Sequence, residues 1–587
     1  MLRSFISSVS GKRSTASLNN GLLLKSSARW GSNLSKSDTF SYEQRVEIVT
    51  KDHDNHYPLI DNIRDAAPKL TQSQLLRIPQ FKTNYQYLTN EQSETEKLHL
   101  VEGRITRIRK SGKKLVFLDI IQDFQKLQVV YSLTTIADQL PEFSRDDFVS
   151  THEFLKIGDG VSIKGIPFRT KSGELSIRAH SPLKLLSNSL IPVAQKTTID
   201  LDSRYPNYKV CNMIMQPQRL APLVVKSLVT NSMRDFLINK HQFIEVETPI
   251  IANTANGANA NPFVTQSEHM KGQDLTLRIA PELFLKKLIV GGFDKVFEIG
   301  RVFRNEGIDS SHNPEFTTCE FYQSYTDLNQ LIELTEDMLV AILNHVREYI
   351  NNTGNIKGEE ILKNIDEILA KFNSQQEQKQ EDLIINNDGT IIKSRYFKLV
   401  EFIPAIEKVT KFPLPEDLND IDSLKQYFQT INLPLPSVIS VPSLLNTLAS
   451  EFVESHCAEP SLIINHPAAL SPLSKCFTKE YGTRKFEVAN RFEMFINERE
   501  YMNAYEEENS PFKQSLNFQN QLKFKEASAD TEIAMIPDVN FIKALEYGMP
   551  PTGGWGCGID RLTMLICGVS KIGDVLSFGN LKDVIRY

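Results

Sequence analysis

The 587-residue chain lacks several features that would assign it to a familiar class of protein. No apolar run is long enough to cross a bilayer, so a membrane protein is not predicted. None of the six cysteines belongs to a Cys-x-x-Cys pair, which argues against structural zinc and indicates reduced, mostly buried thiols. No Ser-His-Asp or Cys-His set stands out as a nucleophilic centre. With 41% apolar and 24% charged residues, the composition is typical of a soluble globular protein with several domains.

The first 37 residues contain no acidic side chain. They hold six basic residues and many serines, and Leu2, Phe5, Ile6 and Val9 can share one face of a helix. This pattern is typical of a mitochondrial transit peptide, and it predicts that residues 1–38 direct the protein to the mitochondrial matrix. The alternative is a disordered basic arm that contacts RNA.

A polar loop between two alternating segments is the first candidate for a functional site. Residues 295–303 and 316–322 alternate apolar and polar side chains as strands do. The period of two predicts Phe316, Glu320 and Tyr322 on one face of the returning strand, Arg304 and Glu306 at the end of the first strand, and His312 at the tip. A guanidinium can pair with phosphate oxygens and a flat ring can stack on a base, so this segment is predicted to bind a nucleotide. The alternative is an exposed hairpin whose charges only solvate it.

Near the C-terminus, a glycine-spaced strand precedes an apolar helix pattern. Gly554, Gly556 and Gly558 share one strand face, which we expect to leave room for a ligand to lie flat against the backbone. Arg561 begins the helix pattern and is expected to cover that ligand. The spacing is not Gly-x-Gly-x-x-Gly, so a Rossmann fold is not predicted.

Residues 97–192 contain five short alternating segments separated by glycine turns, which predicts a small closed β-barrel of the OB type. Basic residues at positions 109, 110, 113 and 114 surround the turn before Phe117. A basic turn beside an aromatic ring suits single-stranded nucleic acid. The alternative for Phe117 is a packed aromatic of the barrel core.

Three segments resemble the motifs of the class II aminoacyl-tRNA synthetases, in the order of that family. Residues 243–249, Phe-Ile-Glu-Val-Glu-Thr-Pro, resemble motif 1, which forms the dimer interface in the family. Arg304-x-Glu306 with His312 and Phe316 resembles motif 2, and Gly556-x-Gly-Ile-Asp-Arg561 resembles motif 3. Segments 277–286, 304–307, 312–316 and 503–507 are most similar to the lysine-specific enzymes of subclass IIb, and the likeness covers roughly residues 95–587.

The resemblance implies an α+β protein in which an N-terminal OB-fold barrel reads the anticodon and a class II catalytic domain is built on an antiparallel β-sheet flanked by helices. The implied organisation is a transit peptide at 1–38, a helical extension at 39–95, the barrel at 96–192, a hinge at 193–215 and the catalytic domain at 216–587. A stretch around 351–387, rich in Lys, Gln, Glu and Asn, is expected to be a solvated surface insertion. Motif 1 implies a homodimer.

The implied reaction is the ATP-dependent ligation of lysine to tRNA(Lys) through a lysyl-adenylate, with Mg²⁺ bridging the phosphates of ATP. The implied catalytic residues are Arg304, Glu306, His312 and Arg561. The implied ATP ligands are Arg304, His312, Phe316, Glu320, Glu493, Glu500, Gly558 and Arg561, of which Glu493 and Glu500 hold Mg²⁺. The implied lysine ligands are Gly257, Glu282, Arg304, Tyr322, Asn503, Tyr505 and Glu507, and the implied anticodon contacts are Arg109, Phe117, Gln128 and Glu174.

Physical reasoning adds support for lysine. A strand over residues 500–507 places Asn503, Tyr505 and Glu507 on one face, and a carboxylate beside a phenol and an amide suits a long cationic side chain. An aspartate pocket would need a fixed cation, which this strand lacks. The open alternatives are a class II ligase of another amino acid, of the Asp/Asn type, a ligase that lysylates a protein, and a non-catalytic tRNA-binding relative. The chain departs from the family at residues 256–258, which read Asn-Gly-Ala where Gly-Gly-Ala is usual.

Overall fold

The computed structural model describes residues 41–65, 75–191, 208–253, 257, 260–270, 272–354, 358–377, 382–386, 389–528 and 538–585. The chain folds as two compact units, Met1–Asp200 and Leu201–Tyr587. The predicted transit peptide, residues 193–207 of the predicted hinge, and Asn256 and Ala258 lie outside the described residues. In the part of the chain that the structure describes, no helix combines the length and the apolarity that a bilayer span requires.

The first unit is built around a closed five-stranded barrel, which confirms the predicted architecture. Its strands are β1 His99–Lys110, β2 Leu115–Gln122, β3 Gln125–Ser132, β4 Gly160–Arg169 and β5 Leu175–Ala179, with β6 Lys184–Ser187 beside β4. They pair in the order β1-β2-β3-β5-β4, and β4 pairs back onto β1. The first half of β1 pairs with β4 and the second half with β2, so one long strand closes the barrel.

The helices of this unit are part of the same body as the barrel. They are α1 Tyr42–Lys51, α2 His53–His56, α3 Ile60–Asp65, α4 Ile78–Tyr85, α5 Leu133–Ala137 and α6 Arg145–Phe154. Phe81 and Tyr85 of α4 are buried in the barrel core. Arg45 of α1 is fully buried and pairs with Asp159, which precedes β4, at 2.7 Å. Residues 39–95 were predicted as a helical extension. Among the described residues of this range, Ile78, Phe81, Tyr85 and Leu88 belong to the core of the barrel.

The second unit is organised around an eight-stranded sheet that is antiparallel except at its two outer pairs. In spatial order the strands are β15 Lys398–Glu401, β16 Ser461–Ile464, β19 Arg491–Ile496, β20 Arg499–Glu506, β21 Thr552–Gly558, β12 Glu315–Ser324, β11 Lys295–Phe303 and β7 Ile244–Glu245. Smaller sheets are formed by β8 Ile251–Ala252, β10 Asp274–Leu277 and β9 Val264–Gln266, by β13 Asp382–Ile385 and β14 Ile391–Ser394, and by β17 Cys476–Tyr481 and β18 Arg484–Ala489.

Helices flank this sheet, as the predicted fold class requires. The largest core cluster joins the sheet to α8 Ala221–Asp235, α10 Leu328–Thr353, α11 Glu359–Glu377 and α17 Ile559–Cys567. Further helices are α7 Tyr208–Met215, which falls in the predicted hinge, α9 Glu282–Val290, α12 Phe402–Thr410, α13 Ile421–Thr430, α14 Val441–Phe452, α15 Pro511–Ser528, α16 Val539–Leu545 and α18 Leu581–Val584.

Helix α11 is not the solvated surface insertion that composition predicted. Ile361, Ile365, Ile368 and Phe372 are buried in the main core. The side-chain amide of Asn364 donates to the carbonyl of Ile566, in the last turn of α17, at 3.0 Å. Composition misled because the many polar residues occupy the opposite face of an amphipathic helix.

Candidate active site

The second unit contains a cavity of about 710 Å³ on the sheet face opposite the main core. Every residue predicted to bind ATP or lysine lines this cavity except Glu507. The lining residues from those predictions are Gly257, Glu282, Arg304, Glu306, His312, Phe316, Glu320, Tyr322, Glu493, Glu500, Asn503, Tyr505, Gly558 and Arg561. The fold therefore gathers into one site residues that are up to 304 positions apart, from Gly257 to Arg561.

Strand β12 divides its side chains between the cavity and the core as the alternation predicted. Phe316, Glu320 and Tyr322 line the cavity. On the other face, Phe321 stacks on Trp555 of β21 with ring centroids 4.9 Å apart. This stacked pair lies in the main core and supports the strands from behind.

Arg304 and Glu306 differ from the prediction in one respect, because β11 ends at Phe303 and both residues lie in the loop that follows. The backbone N–H of Arg304 donates to the carbonyl of Pro314 at 2.8 Å, which holds the loop closed. The guanidinium carbon of Arg304 lies 5.2 Å from the centroid of the Phe316 ring. A cation beside the aromatic face leaves the other side of the ring for a flat ligand.

Glu320 lies beside Arg304 at the middle of the cavity. Burial and the nearby charge of Glu282 raise the pKa of Glu320 to about 8, although Arg304 opposes this shift. A carboxyl group with this pKa carries a proton at neutral pH and can donate a hydrogen bond.

The glycines of β21 lie between side chains of the neighbouring strands. Gly554 pairs with Tyr322 of β12 and with Tyr505 of β20. A Cβ atom on Gly554 would lie 1.9 Å from Glu507 Oε1 and 2.7 Å from Tyr322 Cε1. The expectation that this glycine face is open for a ligand is therefore wrong at Gly554, because a protein carboxylate fills the space. At Gly558 a Cβ atom would meet nothing closer than 4.0 Å.

A β-bulge brings Glu500 into the cavity. Strict alternation along β20 would place Glu500 on the face opposite Asn503. The register instead pairs Met502 with Met494 and Glu500 with Phe495, so Tyr501 is an extra residue in β20. The bulge reverses the alternation beyond this point and puts Glu500 on the same face as Glu493.

Glu493 and Glu500 differ in electrostatic environment although both are buried. Burial disfavours the charge of Glu493, but Arg491 and His466 outweigh it and lower its pKa to about 2; His466 Nε2 lies 3.1 Å from Glu493 Oε2. Burial and the charge of Glu493 raise the pKa of Glu500 to about 7. Sequence reasoning missed Arg491 and His466. Arg491 lies two residues before Glu493 on the same strand face, which is a signal that could have identified it.

At the rim of the cavity, His312 is held between an aspartate and an arginine. His312 Nδ1 lies 2.8 Å from Asp309 Oδ2, and Arg561 donates to His312 Nε2 at 2.5 Å. Arg561 itself is fixed at the start of α17, where the neighbouring Asp560 accepts from the backbone N–H of Thr317 at 2.7 Å. The two predicted phosphate ligands are therefore adjacent.

At the inner end of the cavity, two carboxylates converge on one buried lysine. Tyr505 donates its hydroxyl hydrogen to Glu282 Oε1 at 2.7 Å, and Lys286 donates to the same oxygen at 2.5 Å. Lys286 also contacts Glu507 Oε2. Glu507 Oε1 finds no hydrogen-bond partner among the described residues and lies beside Gly554, which lines the cavity. Sequence reasoning missed Lys286, although its spacing of four residues from Glu282 in a helix was a usable signal.

In the first unit, three of the residues predicted to read an anticodon form one cluster on the barrel surface. Arg109 and Phe117 are paired across β1 and β2, with the guanidinium carbon 5.7 Å from the ring centroid. Arg109 donates to Gln128 Oε1 at 2.8 Å. Phe117 is half-buried and does not belong to the core cluster of the barrel. Glu174 is exposed in the turn between β4 and β5.

Comparison with known proteins agrees with this geometry. Residues 202–582 match the family model described as tRNA synthetases class II (D, K and N), and residues 99–183 match the OB-fold nucleic acid binding domain. A mitochondrial lysine–tRNA ligase of Schizosaccharomyces pombe is 38% identical over 83% of this chain and 84% of its own length. A mitochondrial lysine–tRNA ligase of Saccharomyces cerevisiae is 33% identical over 83% and 82%, and a lysine–tRNA ligase of Aquifex aeolicus is 35% identical over 82% and 72%. The chain belongs to the class II aminoacyl-tRNA synthetases of the D, K and N group.

Proposed function

We propose that this protein is a lysine–tRNA ligase that activates lysine with ATP and transfers it to the 3′ end of tRNA(Lys). The observation that carries the choice of amino acid is Glu507 Oε1, a buried carboxylate oxygen without a hydrogen-bond partner among the described residues, which lies beside Gly554 of the cavity wall. A buried carboxylate oxygen is costly unless a cation pairs with it, so a substrate ammonium is the fitting occupant.

The other proposed lysine contacts are those that the family resemblance implies. Glu282 binds the α-ammonium and Arg304 binds the carboxylate. Tyr322 is a second partner of the ε-ammonium, and Tyr505, beside Asn503, lies along the methylene chain. Gly257 lies close to Glu282, because a Cβ atom on it would be 3.1 Å from Glu282 Cβ. A side chain at residue 257 would therefore crowd Glu282, and the positive φ of 102° also favours glycine there.

An enzyme of the Asp or Asn type is the main alternative, and Lys286 is the reason to consider it. It is a fixed, buried cation behind the wall of this pocket, and it is supplied by α9 rather than by the strand. However, Lys286 already contacts both Glu282 and Glu507, so it is not free to bind a substrate carboxylate. A substrate ammonium would meet these acidic side chains as hydrogen-bond acceptors.

The proposed mechanism needs no protein nucleophile. The lysine carboxylate attacks the α-phosphate of ATP in line, pyrophosphate leaves, and a terminal ribose hydroxyl of the tRNA then takes the lysyl group. Arg304 orients the attacking carboxylate and the α-phosphate, Arg561 and His312 bind the outer phosphates, and Phe316 stacks on adenine, with Glu306, Glu320 and Gly558 completing the nucleotide site. Rate enhancement then comes from orientation and charge neutralisation.

We propose that Glu493 and Glu500 hold Mg²⁺ together with the phosphates of ATP. The described residues contain no group of three or more His, Cys, Asp and Glu side chains arranged as a metal site. Two carboxylates with phosphate and water oxygens are a usual ligand set for Mg²⁺. The pKa of Glu500, raised to about 7 beside Glu493, fits a pair that gains from a cation. The ion would neutralise phosphate charge during the reaction.

The barrel cluster of Arg109, Phe117 and Gln128 is proposed to bind the anticodon, with Glu174 at its edge. Phe117 offers a stacking surface, and Gln128 offers an amide to a base edge. In the free protein Arg109 is held by Gln128 and by Asp119, the latter at 3.0 Å. The ring and the amide belong to the same face of the sheet, which supports the proposal. In the free protein the Gln128 side chain is buried, accepts from Arg109 and donates to Ser176.

A homodimer is proposed from the edge of the large sheet. Strand β7, in the segment that resembles motif 1, is the outermost strand and pairs only with β11 among the described residues. Ile244 on β7 is 51% exposed, and Ile251 is 52% exposed. Exposed apolar residues on a strand edge favour pairing with a second copy. Light scattering should give twice the chain mass, and Ile244→Asp should give the monomer.

Mitochondrial location is proposed from the acid-free N-terminal segment and from relatives whose names are mitochondrial. Residues 1–40 fused to a reporter should enter the mitochondrial matrix and be cleaved. A chain that starts near Thr39 should stay in the cytosol and remain active in vitro. A cytosolic reporter, or a truncated enzyme that cannot charge tRNA, would favour the basic arm that assists RNA binding instead.

The decisive experiment is ATP–pyrophosphate exchange driven by each of the amino acids in turn. Lysine alone should support exchange, and tRNA(Lys) should then accept lysine. Exchange with aspartate or asparagine would reject the lysine assignment. No exchange with any amino acid, from a folded protein that binds tRNA, would instead indicate a non-catalytic relative.

A further inference from the structure

Lys286 is a buried cation with two carboxylate partners, one on the same helix and one distant in sequence. Glu282 precedes it by one helical turn, but Glu507 follows β20 and is far away in sequence. The Lys286 side chain is fully buried. Its Nζ lies 5.9 Å, 5.6 Å and 5.8 Å from the ring centroids of Tyr322, Tyr505 and Phe541.

The two oxygens of Glu507 have different surroundings. Oε2 contacts Lys286, while Oε1 lies beside Gly554 at the cavity and has no hydrogen-bond partner among the described residues. Lys286 does not line the cavity. Lys286 therefore contacts Glu507 on the side away from the cavity. Oε1 of Glu507 remains on the side of Gly554, which lines the cavity.

We propose that Lys286 is a positioning residue for amino-acid recognition, which holds Glu282 and Glu507 in place so that each can bind one ammonium group of the substrate and which favours the charged form of Glu507. This inference rests on the proposed function. Lys286 lies outside the cavity and acts through two residues that are proposed to contact the substrate.

The physical reason is mutual repulsion among buried acids. Burial raises the pKa of Glu507 well above its usual range, the charges of Glu282 and Glu320 add to this rise, and Lys286 opposes it. Tyr322 and Tyr505 are further acidic groups beside the same carboxyl groups. A protonated carboxyl group no longer attracts an ammonium. Burial disfavours a charge on Lys286, but the two carboxylates outweigh it and raise the pKa of Lys286, so the cation persists. This cation is therefore the neighbour that favours the charged form of Glu507.

The test is the pH dependence of lysine activation in Lys286→Met, which removes the charge and nearly keeps the side-chain volume. Without the cation the pKa of Glu507 rises further, so this carboxyl group takes up its proton at a higher pH. The KM for lysine should therefore rise at least about tenfold near pH 7 and increase further at lower pH, because one unit of pKa is a tenfold change in protonation. The KM for ATP should change much less, and the natural chain should show a flatter lysine profile.

Two further variants separate positioning from a merely structural role. Lys286→Arg keeps the charge and should keep the flat pH profile, even if its larger head group lowers the melting temperature. Lys287→Met is the matched control, because Lys287 is the next residue of α9, is partly exposed and pairs with Asp538 at 3.4 Å away from the carboxylates. It should leave the lysine pH profile unchanged.

Three results would overturn the inference. A lower KM for lysine in Lys286→Met would mean that Lys286 competes with the substrate. An unchanged pH profile with a lower melting temperature would mean that it only supports the fold. If Lys286→Met folds poorly, both variants are compared at low temperature. Equal pH profiles of Lys286→Arg and Lys286→Met would then exclude a role for the charge of Lys286. Failure of the proposed function is distinguished by the natural chain, which would then not exchange pyrophosphate with lysine at any pH.

Discussion

Replacement of Gly554 by alanine should specifically weaken recognition of lysine. A Cβ atom at this position would lie 1.9 Å from Glu507 Oε1 and 2.7 Å from Tyr322 Cε1, both far inside van der Waals contact. Gly554 has no positive φ, so the change adds no backbone strain and the whole effect comes from this collision. Glu507 must move away from the cavity, and its unpartnered oxygen moves with it.

The magnitude follows from the cost of overpacking a buried site. One inserted methyl group typically costs about 1–3 kcal/mol. If this cost appears in substrate binding, the KM for lysine rises by roughly 5- to 150-fold, since each 1.4 kcal/mol is a factor of ten. The measurement is lysine-dependent pyrophosphate exchange at varied lysine and at varied ATP, and only the lysine dependence should shift strongly.

Gly553→Ala provides the matched control on the same strand. Its Cβ atom would meet the side chain of Leu331 at 3.0 Å, on the face that packs against α10, and Gly553 does not line the cavity. It should lower the melting temperature without a selective change in the KM for lysine. The reasoning is refuted if Gly554→Ala leaves the KM for lysine unchanged, or if Gly553→Ala raises it equally.

Three other changes test separate parts of the molecule. Phe117→Ala or Gln128→Ala should slow tRNA charging and leave pyrophosphate exchange intact, since base stacking is worth roughly 1–3 kcal/mol; equal loss in both assays would indicate a role in the fold. Glu320→Gln should stabilise the substrate-free protein increasingly as the pH rises from 5 to 8. The pKa of Glu320 in the folded protein is about 8, above its usual 4.5, so the folded protein keeps a proton that the unfolded chain has already released. The natural chain therefore loses stability as the pH rises from 5 to 8, and the variant, which does not titrate, gains in relative free energy of unfolding by roughly 3–5 kcal/mol. Thermal unfolding with no pH-dependent difference between the two would contradict this. Arg45→Met should destabilise the first unit by about 3–5 kcal/mol in denaturant unfolding, because it leaves Asp159 buried without its partner; a change below 1 kcal/mol would show that solvent reaches the pair.

The sequence determined the local structure of the site and most of its membership. The period of two on residues 316–322 assigned Phe316, Glu320 and Tyr322 to one face, and the structure places them there. Alternation needs only the geometry of one strand, so it can be read without knowing the partner strands. The barrel strands were predictable for the same reason, and the order of the three motifs indicated the family that the comparisons show.

Only the tertiary structure decided which groups meet across strands and which charges are buried together. The bulge at Tyr501 reverses the alternation of β20. No local sequence pattern indicated it, because the register of β20 depends on its pairing with β19. The meeting of Lys286 with Glu507, like the filling of the space at Gly554 by that carboxylate, joins α9, β20 and β21. Burial of α11 likewise depended on a partner surface. Contacts of this kind arise from packing between distant segments, and the sequence of any one segment does not contain them.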